Sequence, residues 1–276
     1  WFMIFYLITV LIGTIYPIFT EVLTNNKVSV GPPFYNTVII PLVVLFLFFM
    51  SLGPQASWIK NEFKNYSLLI KILASSILIN FIIIYFFKSY SVISNFIIIS
   101  SVFLIISSSI DLLKFFTKRK KDELSRVISH LSFGFLIFFI GLNHNFSLDK
   151  DFNLKLGEVK SFDNYTVEFK KISLEDFKNY KAVVGEFKIN NLDKNIEKSL
   201  YPEIRIYEKP NTITYEASIR SGILKDYYLT MSNIDRSDYY NIKFQKKPFM
   251  IWIWFSVICL SIGGSLRILK NAKKNY

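Results

Sequence analysis

The sequence predicts a polytopic α-helical membrane protein into which a small all-β extracytoplasmic domain is inserted. Of its 276 residues 51% are apolar, and the mean hydropathy is +0.33, which is too apolar for an ordinary soluble domain. The apolar residues collect in uncharged runs, and about twenty such residues suffice to cross a bilayer. A long stretch before the last run alternates apolar and polar residues instead, which is typical of β-strands. These observations exclude a soluble enzyme and a disordered chain.

Six apolar segments are predicted to cross the membrane. They cover residues 1–19, 37–52, 67–87, 91–113, 127–142 and 248–268. The chain thus divides into a five-helix bundle over 1–142, a β domain over 143–247, and a last helix with a basic tail over 248–276. The second and fifth segments are short, so their ends are expected in the interface or among other helices. Residues 54–66 place aromatic side chains at helical spacing between lysines and asparagines, which favours a helix lying on the membrane surface.

The distribution of charge predicts the orientation. Residues 143–247 carry 18 Lys+Arg and 16 Asp+Glu, a balance of +2, so +10 of the net charge of +12 lies mostly beside the apolar segments. Charge placed there is a topology signal rather than a nucleic-acid footprint, and no nucleic-acid partner is expected. If the first segment exits outward, the short inner loops and tail hold twelve Lys+Arg and the outer loops two. The β domain is therefore expected outside and the C-terminus inside, with membrane lipid as a partner.

The outer stretch is predicted to form a small antiparallel sandwich or a partly open barrel. Seven short strands are expected, around residues 152–156, 165–169, 184–189, 204–207, 213–217, 227–231 and 239–244. Asp163-Asn164 and Asn190-Asn191 are expected to form turns. The chain opens on Trp1 within an apolar run, so it looks like a piece of something longer.

His130 is the main candidate for chemistry among the membrane segments. An ionisable ring in a membrane helix is costly to bury, which makes it a functional candidate by default. A haem or metal ligand, a proton relay and a hydrogen bond to a neighbouring helix all remain open, and packing is favoured from the residues alone. His144 lies fourteen residues later, about 21 Å along a helix, so the two rings could share a face but not a metal. His144 is expected to be a solvated interface residue.

The other candidates have plain explanations. Asp111 is expected to pair with Lys114, one turn away. Residues 31–36 are expected to form a rigid, uncharged outer loop, because Pro32-Pro33 fixes an extended backbone. Cys259 is the single cysteine of the sequence, which excludes an intramolecular disulfide, and it is expected to be a small buried hydrophobe. No hydrolytic motif is present, and no catalytic residue is assigned. Four tyrosines of the β domain could serve docking or belong to its core: Tyr227, Tyr228, Tyr239 and Tyr240.

Several motifs resemble the CcmF family of cytochrome c maturation proteins. They are Gly13-Thr14-Ile15-Tyr16-Pro17, Ser29-Val30-Gly31-Pro32-Pro33-Phe34-Tyr35-Asn36, Pro41-Leu42, Gly53-Pro54 with Trp58, Arg126 to Leu131, Tyr201-Pro202, and Lys247-Pro248-Phe249 with Trp252-Ile253-Trp254. The resemblance covers the whole chain in order and corresponds to the family's C-terminal part. One departure is Ser129, where family members often have alanine.

The resemblance implies a role in joining haem to the Cys-x-x-Cys-His motif of apocytochrome c, outside the bacterial inner membrane. In this family a structural b-type haem is held by two membrane histidines; the second matches His130, and its partner lies upstream of this chain, as does the main haem-handling segment. Haem is then both cofactor and substrate, the β domain is periplasmic, and the C-terminus is cytoplasmic. Expected partners are apocytochrome c, a haem chaperone and a thiol-handling subunit. A non-catalytic scaffold that docks a partner through its β domain, and the paralogue devoted to multihaem nitrite reductases, remain alternatives.

Overall fold

The protein is described by a computed structural model over residues 1–55, 66–87, 91–118, 124–192, 196–234 and 237–274. The chain separates into two compact units. One consists of Trp1–Asn145 together with Trp252–Tyr276, and the other is Phe146–Ile251. The first unit is helical, and the second is formed by β-strands.

The first unit is built from long apolar helices. They are α1 (Phe2–Thr24), α2 (Pro32–Leu52), α3 (Tyr66–Phe87), α4 (Val92–Lys118), α5 (Leu124–Phe146) and α6 (Met250–Lys274). Each contains a stretch that is long and apolar enough to cross a membrane, so the prediction of six apolar helices is confirmed. Only 11% of the spans in α1, α2 and α6 is buried within the protein, and their outer faces are apolar, as lipid contact requires. The protein is a multi-pass membrane protein.

The predicted bounds of the second and fifth membrane segments were wrong. The helix α2 begins at Pro32, so residues 32–36 are helical and do not form the expected loop. Gly31 has an extended backbone (φ −104°, ψ −176°) and caps the helix, and two prolines suit a first turn because their missing N–H groups would have no helical partner there. The helix α5 continues to Phe146, past the expected end at residue 142. With 21 and 23 residues, neither helix is short.

The surface helix expected over residues 54–66 lies mostly outside the described residues. Residues 56–65 are not described, and Tyr66 is already the first residue of α3.

Small residues bring the neighbouring helices close to α4. Ser100, Ser101 and Ser107 of α4 are at most 3% exposed, and 44% of its span is buried, more than in any other described span. The hydroxyl of Ser107 donates a 3.3 Å hydrogen bond to the carbonyl of Ser51 on α2. Serines allow close approach of helices in a membrane and satisfy their own hydroxyls on backbone carbonyls. The helix α4 is therefore the central helix of this unit.

The second unit is a β-sandwich of two antiparallel sheets. Its strands are β1 (Leu148–Leu154), β2 (Val159–Phe162), β3 (Tyr165–Asp176), β4 (Tyr180–Asn191), β5 (Ile196–Leu200), β6 (Glu203–Tyr207), β7 (Thr212–Glu216), β8 (Ser218–Arg220), β9 (Lys225–Asn233) and β10 (Tyr240–Pro248). One sheet has the order β1-β10-β9-β8. The other has the order β2-β3-β4-β6-β7, and β5 also pairs with β4. The predicted membrane protein with an inserted small all-β domain is confirmed.

The core of the sandwich is aromatic and aliphatic. Phe169 on β3 and Phe187 on β4 stack with ring centroids 4.2 Å apart, and both are fully buried. Met231 and Phe244 of the facing sheet belong to the same core and are equally buried. The inward residues of both sheets thus interlock, as in sandwiches generally.

The strand predictions were confirmed where apolar and polar residues alternate along the sequence. All seven predicted strands correspond to observed ones, and Asp163-Asn164 forms the expected two-residue turn between β2 and β3, with Asp163 at φ 46°. The prediction of a turn at Asn190-Asn191 was wrong, because both residues lie in β4 and pair with β3 and β5.

Candidate functional site

His130 lies in the first half of α5 and is half-buried. An α-helix turns about 100° per residue, so the ring lies about 40° around α5 from Gly134 and, on the other side, about 60° from Phe133. Gly134 faces α4, since a Cβ there would lie 2.9 Å from a side-chain carbon of Ile105. Phe133 faces α2, with its ring 5.8 Å from that of Phe46. His130 therefore lies on the side of α5 that is turned toward α2 and α4.

The surroundings of His130 leave its ring nitrogens available. Within the described residues the ring makes no hydrogen bond to another side chain or to the backbone. Arg126, one turn earlier on α5, and Asp111 of α4 act on it electrostatically with opposite signs. Asp111 is held by Lys114 at 3.2 Å, which confirms the expected ion pair. A half-buried imidazole with no protein hydrogen bond can bind a metal or a haem iron.

Glycines hold α5 against its neighbours. Gly141 follows Gly134 by seven residues, and a Cβ on it would lie 3.1 Å from Ile97 on α4. On α6, a Cβ on Gly263 would lie 2.9 Å from the backbone nitrogen of Ser129, and the Ser125 hydroxyl donates a 2.7 Å hydrogen bond to the Gly263 carbonyl. Contacts on both sides fix the rotation of α5 and hence the direction of the His130 ring. Sequence reasoning missed these glycines, although the seven-residue spacing was a usable signal.

His144 has different surroundings. It lies in the last turn of α5, is exposed, and its Nδ1 is 3.2 Å from the hydroxyl of Ser94 on α4. The structure thus agrees with the expectation of an exposed residue and adds a contact between helices. It does not bring His144 near His130, because fourteen residues of one helix, about 21 Å, separate them.

An apolar cavity of about 300 Å³ opens between α5 and α6. Phe139 and Trp252, whose rings stack at 5.8 Å, close one part of it, and Cys259 lines another. Cys259 is half-buried and free, close to the expected small buried hydrophobe. His130 does not line this cavity, because it lies on the α2 and α4 side of α5.

The β domain contains no arrangement typical of hydrolytic catalysis in its described part. No group of three or more His, Cys, Asp or Glu side chains that could hold a metal ion occurs in the described residues. Of the tyrosines considered for docking, Tyr227 is 4% exposed and Tyr240 packs against the core, whereas Tyr239 is 38% exposed. Two of them are therefore core residues.

Fold and site together define a class: a polytopic membrane protein that carries an inserted β-sandwich and a half-buried histidine on one of its apolar helices. The family described as the CcmF C-terminal beta-sandwich matches residues 145–248. The cytochrome c-type biogenesis protein CcmF of Haemophilus influenzae is 24% identical over 274 residues, covering 94% of this chain and 42% of that protein. The Escherichia coli protein of the same name is 25% identical over 266 residues, covering 94% and 41%.

A solved structure named cytochrome c heme lyase CcmF shares the fold. Its TM-score is 0.71 at 18% identity, over 95% of this chain and 43% of that one. The chain is similar to CcmF proteins over both its helices and its β-sandwich, and it corresponds to their C-terminal part. It spans about 41% to 43% of the length of the relatives it matches.

Proposed function

We propose that this chain is the C-terminal part of a haem lyase that attaches haem covalently to the Cys-x-x-Cys-His motif of apocytochrome c. The relatives named for cytochrome c biogenesis align with 94% of the chain, across both the helices and the β-sandwich. Because the chain spans about 41% of those relatives, the activity is proposed for the complete protein, with no catalytic residue in this part.

The observation that carries the proposal is the half-buried His130 on an apolar helix. Its imidazole would bind the iron of a b-type haem through a ring nitrogen that no described residue occupies. About 21 Å of helix separates His130 from His144, so the two rings cannot bind the same iron and this chain offers that haem one axial ligand. The second ligand would come from outside this chain.

A b-type haem supplies one-electron chemistry, which would keep the substrate haem reduced while it is joined to the protein. The neighbours of His130 orient its ring: Gly134 and Gly141 let α4 approach closely, and Gly263 fixes α6 against Ser129. Asp111 lies on the same side and acts on the ring electrostatically. Helices that cannot rotate hold a ligand in one direction, which favours a defined iron geometry.

The thiols of the thioether bonds belong to the substrate. Cys259 is half-buried beside an apolar cavity within the helices, which suits packing and not reaction with a haem vinyl group. The β-sandwich would assist docking of apocytochrome c, a haem chaperone or a thiol-handling subunit. The twelve-to-two distribution of Lys+Arg supports a periplasmic β domain and a cytoplasmic C-terminus in a bacterial inner membrane.

Haem attachment in cells tests the proposal. In cells that lack the complete protein, its wild-type form should restore covalent haem on a reporter cytochrome c, seen as haem staining in a denaturing gel. The His130→Ala form, present in the membrane in equal amount, should restore much less, while His144→Ala should match wild type. Failure of the wild-type protein to restore haem staining would leave a scaffold that docks a partner as the better account.

A further inference from the structure

Three lysines converge on two buried tyrosines at one end of the β-sandwich. Lys198 lies 4.7 Å from the ring centre of Tyr227, and Lys225 lies 5.5 Å from the same ring. Lys225 and Lys246 each lie 5.9 Å from the ring centre of Tyr165. We call Lys198, Lys225 and Lys246 the lysine cluster. All three are half-buried, so their charges are partly removed from water.

Both sheets contribute to the cluster. Lys246 on β10 is the cross-strand partner of Tyr227 on β9, and Lys225 precedes Tyr227 by two residues, so all three point to the same face of one sheet. Tyr165 on β3 and Lys198 on β5 come from the other sheet. The rings of Tyr165 and Tyr227 meet 6.0 Å apart and close the core beneath the lysines.

The positive charge of the cluster is not neutralised within the described residues. No described carboxylate forms an ion pair with any of its three lysines. The carboxylate of Asp163 interacts electrostatically with Lys246, but its ion pair is with Lys150, at 3.6 Å. Burial and the neighbouring charge of Lys225 lower the pKa of Lys246.

Tyr227 adds a hydroxyl to the same place. Burial alone would raise the pKa of Tyr227, but its interactions with Lys225, Tyr165 and Lys198 outweigh burial and lower the pKa. Contact with a tyrosine ring offsets part of the cost of partly burying an ammonium group. An anion placed among the three lysines and the tyrosine hydroxyl would offset more of this burial cost, because it adds charge-assisted hydrogen bonds.

Short chain connections join this end of the sandwich to two of the membrane helices. Lys246 precedes Met250, the first residue of α6, by four residues, a reach of at most about 14 Å. Its partner on β1, Leu148, comes two residues after Phe146, the last residue of α5. Both helices are apolar enough to cross a membrane, so the cluster lies within reach of the headgroup layer.

We propose that the lysine cluster binds the phosphate of an anionic phospholipid headgroup at the surface of the membrane that α5 and α6 span. Lysines attract anionic headgroups at short range, and the tyrosine hydroxyl adds a donor for a phosphate oxygen. Lipid bound here would tie the end of the β-sandwich to the membrane surface. This binding is independent of the haem lyase activity proposed above.

Native mass spectrometry of the full chain in detergent tests the proposal. Phosphatidylglycerol should bind more tightly than phosphatidylcholine with the same acyl chains. The double substitution Lys225→Gln and Lys246→Gln should weaken phosphatidylglycerol binding about 25-fold, at about fivefold per lysine, and leave phosphatidylcholine unchanged. The matched control is Lys243→Gln on the same strand, which faces the other way and pairs with Asp149 and Asp151. It should bind both lipids as wild type does.

Two further measurements distinguish loss of charge from loss of folding, and a lipid site from a site for free phosphate. Lys225→Arg with Lys246→Arg keeps the charge and should retain phosphatidylglycerol binding, which separates loss of charge from loss of folding. Excess inorganic phosphate should not displace the lipid; complete displacement would show a site for free phosphate and overturn the proposal. Equal binding of the two lipids, or unchanged phosphatidylglycerol binding by the double Gln variant, would also overturn it.

Discussion

The hydroxyl of Ser94 on α4 lies 3.2 Å from Nδ1 of His144 on α5. This contact gives His144 a protein partner. His130 makes no hydrogen bond within the described residues, although it is more buried than His144. The two histidines of the chain therefore differ in surroundings: His144 contacts Ser94 and is exposed, whereas His130 is half-buried on an apolar helix.

Removing the contact between Ser94 and His144 should affect stability slightly. We expect Ser94→Ala and His144→Ala each to lower the free energy of unfolding by about 1 kcal/mol, the usual value for one interhelical hydrogen bond in a membrane. Thermal unfolding in detergent, followed by circular dichroism, measures the effect. The double variant should lose no more than one single variant does, and additive losses would contradict the contact.

Gly263 should tolerate no larger side chain. The Cβ of Gly263→Ala would lie 2.9 Å from the backbone nitrogen of Ser129, so α5 and α6 would have to separate. We expect a loss of about 1–3 kcal/mol, as for other overpacked contacts. Gly264→Ala is the matched control, because no atom lies within 4 Å of its Cβ, and it should be neutral or slightly stabilising. Equal melting temperatures for the two variants would argue against the packing of α5 on α6.

The aromatic stack should dominate the stability of the β-sandwich. Phe187 is fully buried against Phe169, and Phe187→Ala should cost about 3–5 kcal/mol through the cavity that it leaves. Leu174→Ala on β3, at a residue that is 82% exposed, should cost little. Limited proteolysis of the full chain reports both, with faster cleavage within residues 146–251 expected only for Phe187→Ala.

The charge distribution predicts that two engineered cysteines lie on opposite sides of the membrane. In a Cys259→Ala background, Lys178→Cys lies in the exposed connection between β3 and β4, and Thr117→Cys lies near the end of α4. A membrane-impermeant maleimide added to intact spheroplasts should label Cys at 178 and not at 117. Labelling of both positions, or of 117 alone, would show that the proposed orientation is wrong.

The sequence was informative wherever one face of an element is buried and the other is not. Strands β3, β4 and β9 each contain a run in which buried residues alternate with less buried ones, because one face lies in the core, and all were predicted. Strand β2 was missed because three of its four residues are exposed, which leaves no alternation to detect. Strand β8 has only three residues. Asn190 and Asn191 favour turns locally, but pairing with strands on both sides outweighs that preference.

The candidate site was only partly accessible to sequence reasoning. His130 could be singled out because an ionisable residue in an apolar helix is rare. Its position relative to α2 and α4 depends on Gly134 and Phe133, whose contacts no local pattern reveals. The lysine cluster combines residues of β3, β5, β9 and β10, so only the sheet register brings it together.

The haem content of the purified complete protein tests the central proposal most directly. Alanine offers no ligand atom, so His130→Ala should lose most of the b-type haem in a pyridine haemochrome assay. Membrane insertion should persist, because alanine is accommodated in a bilayer helix more easily than histidine. His144→Ala is the matched control and should keep wild-type haem content, since about 21 Å of helix separates that ring from His130. Full haem occupancy with an unaltered bis-imidazole spectrum in His130→Ala would contradict the assignment and leave His130 a packing residue.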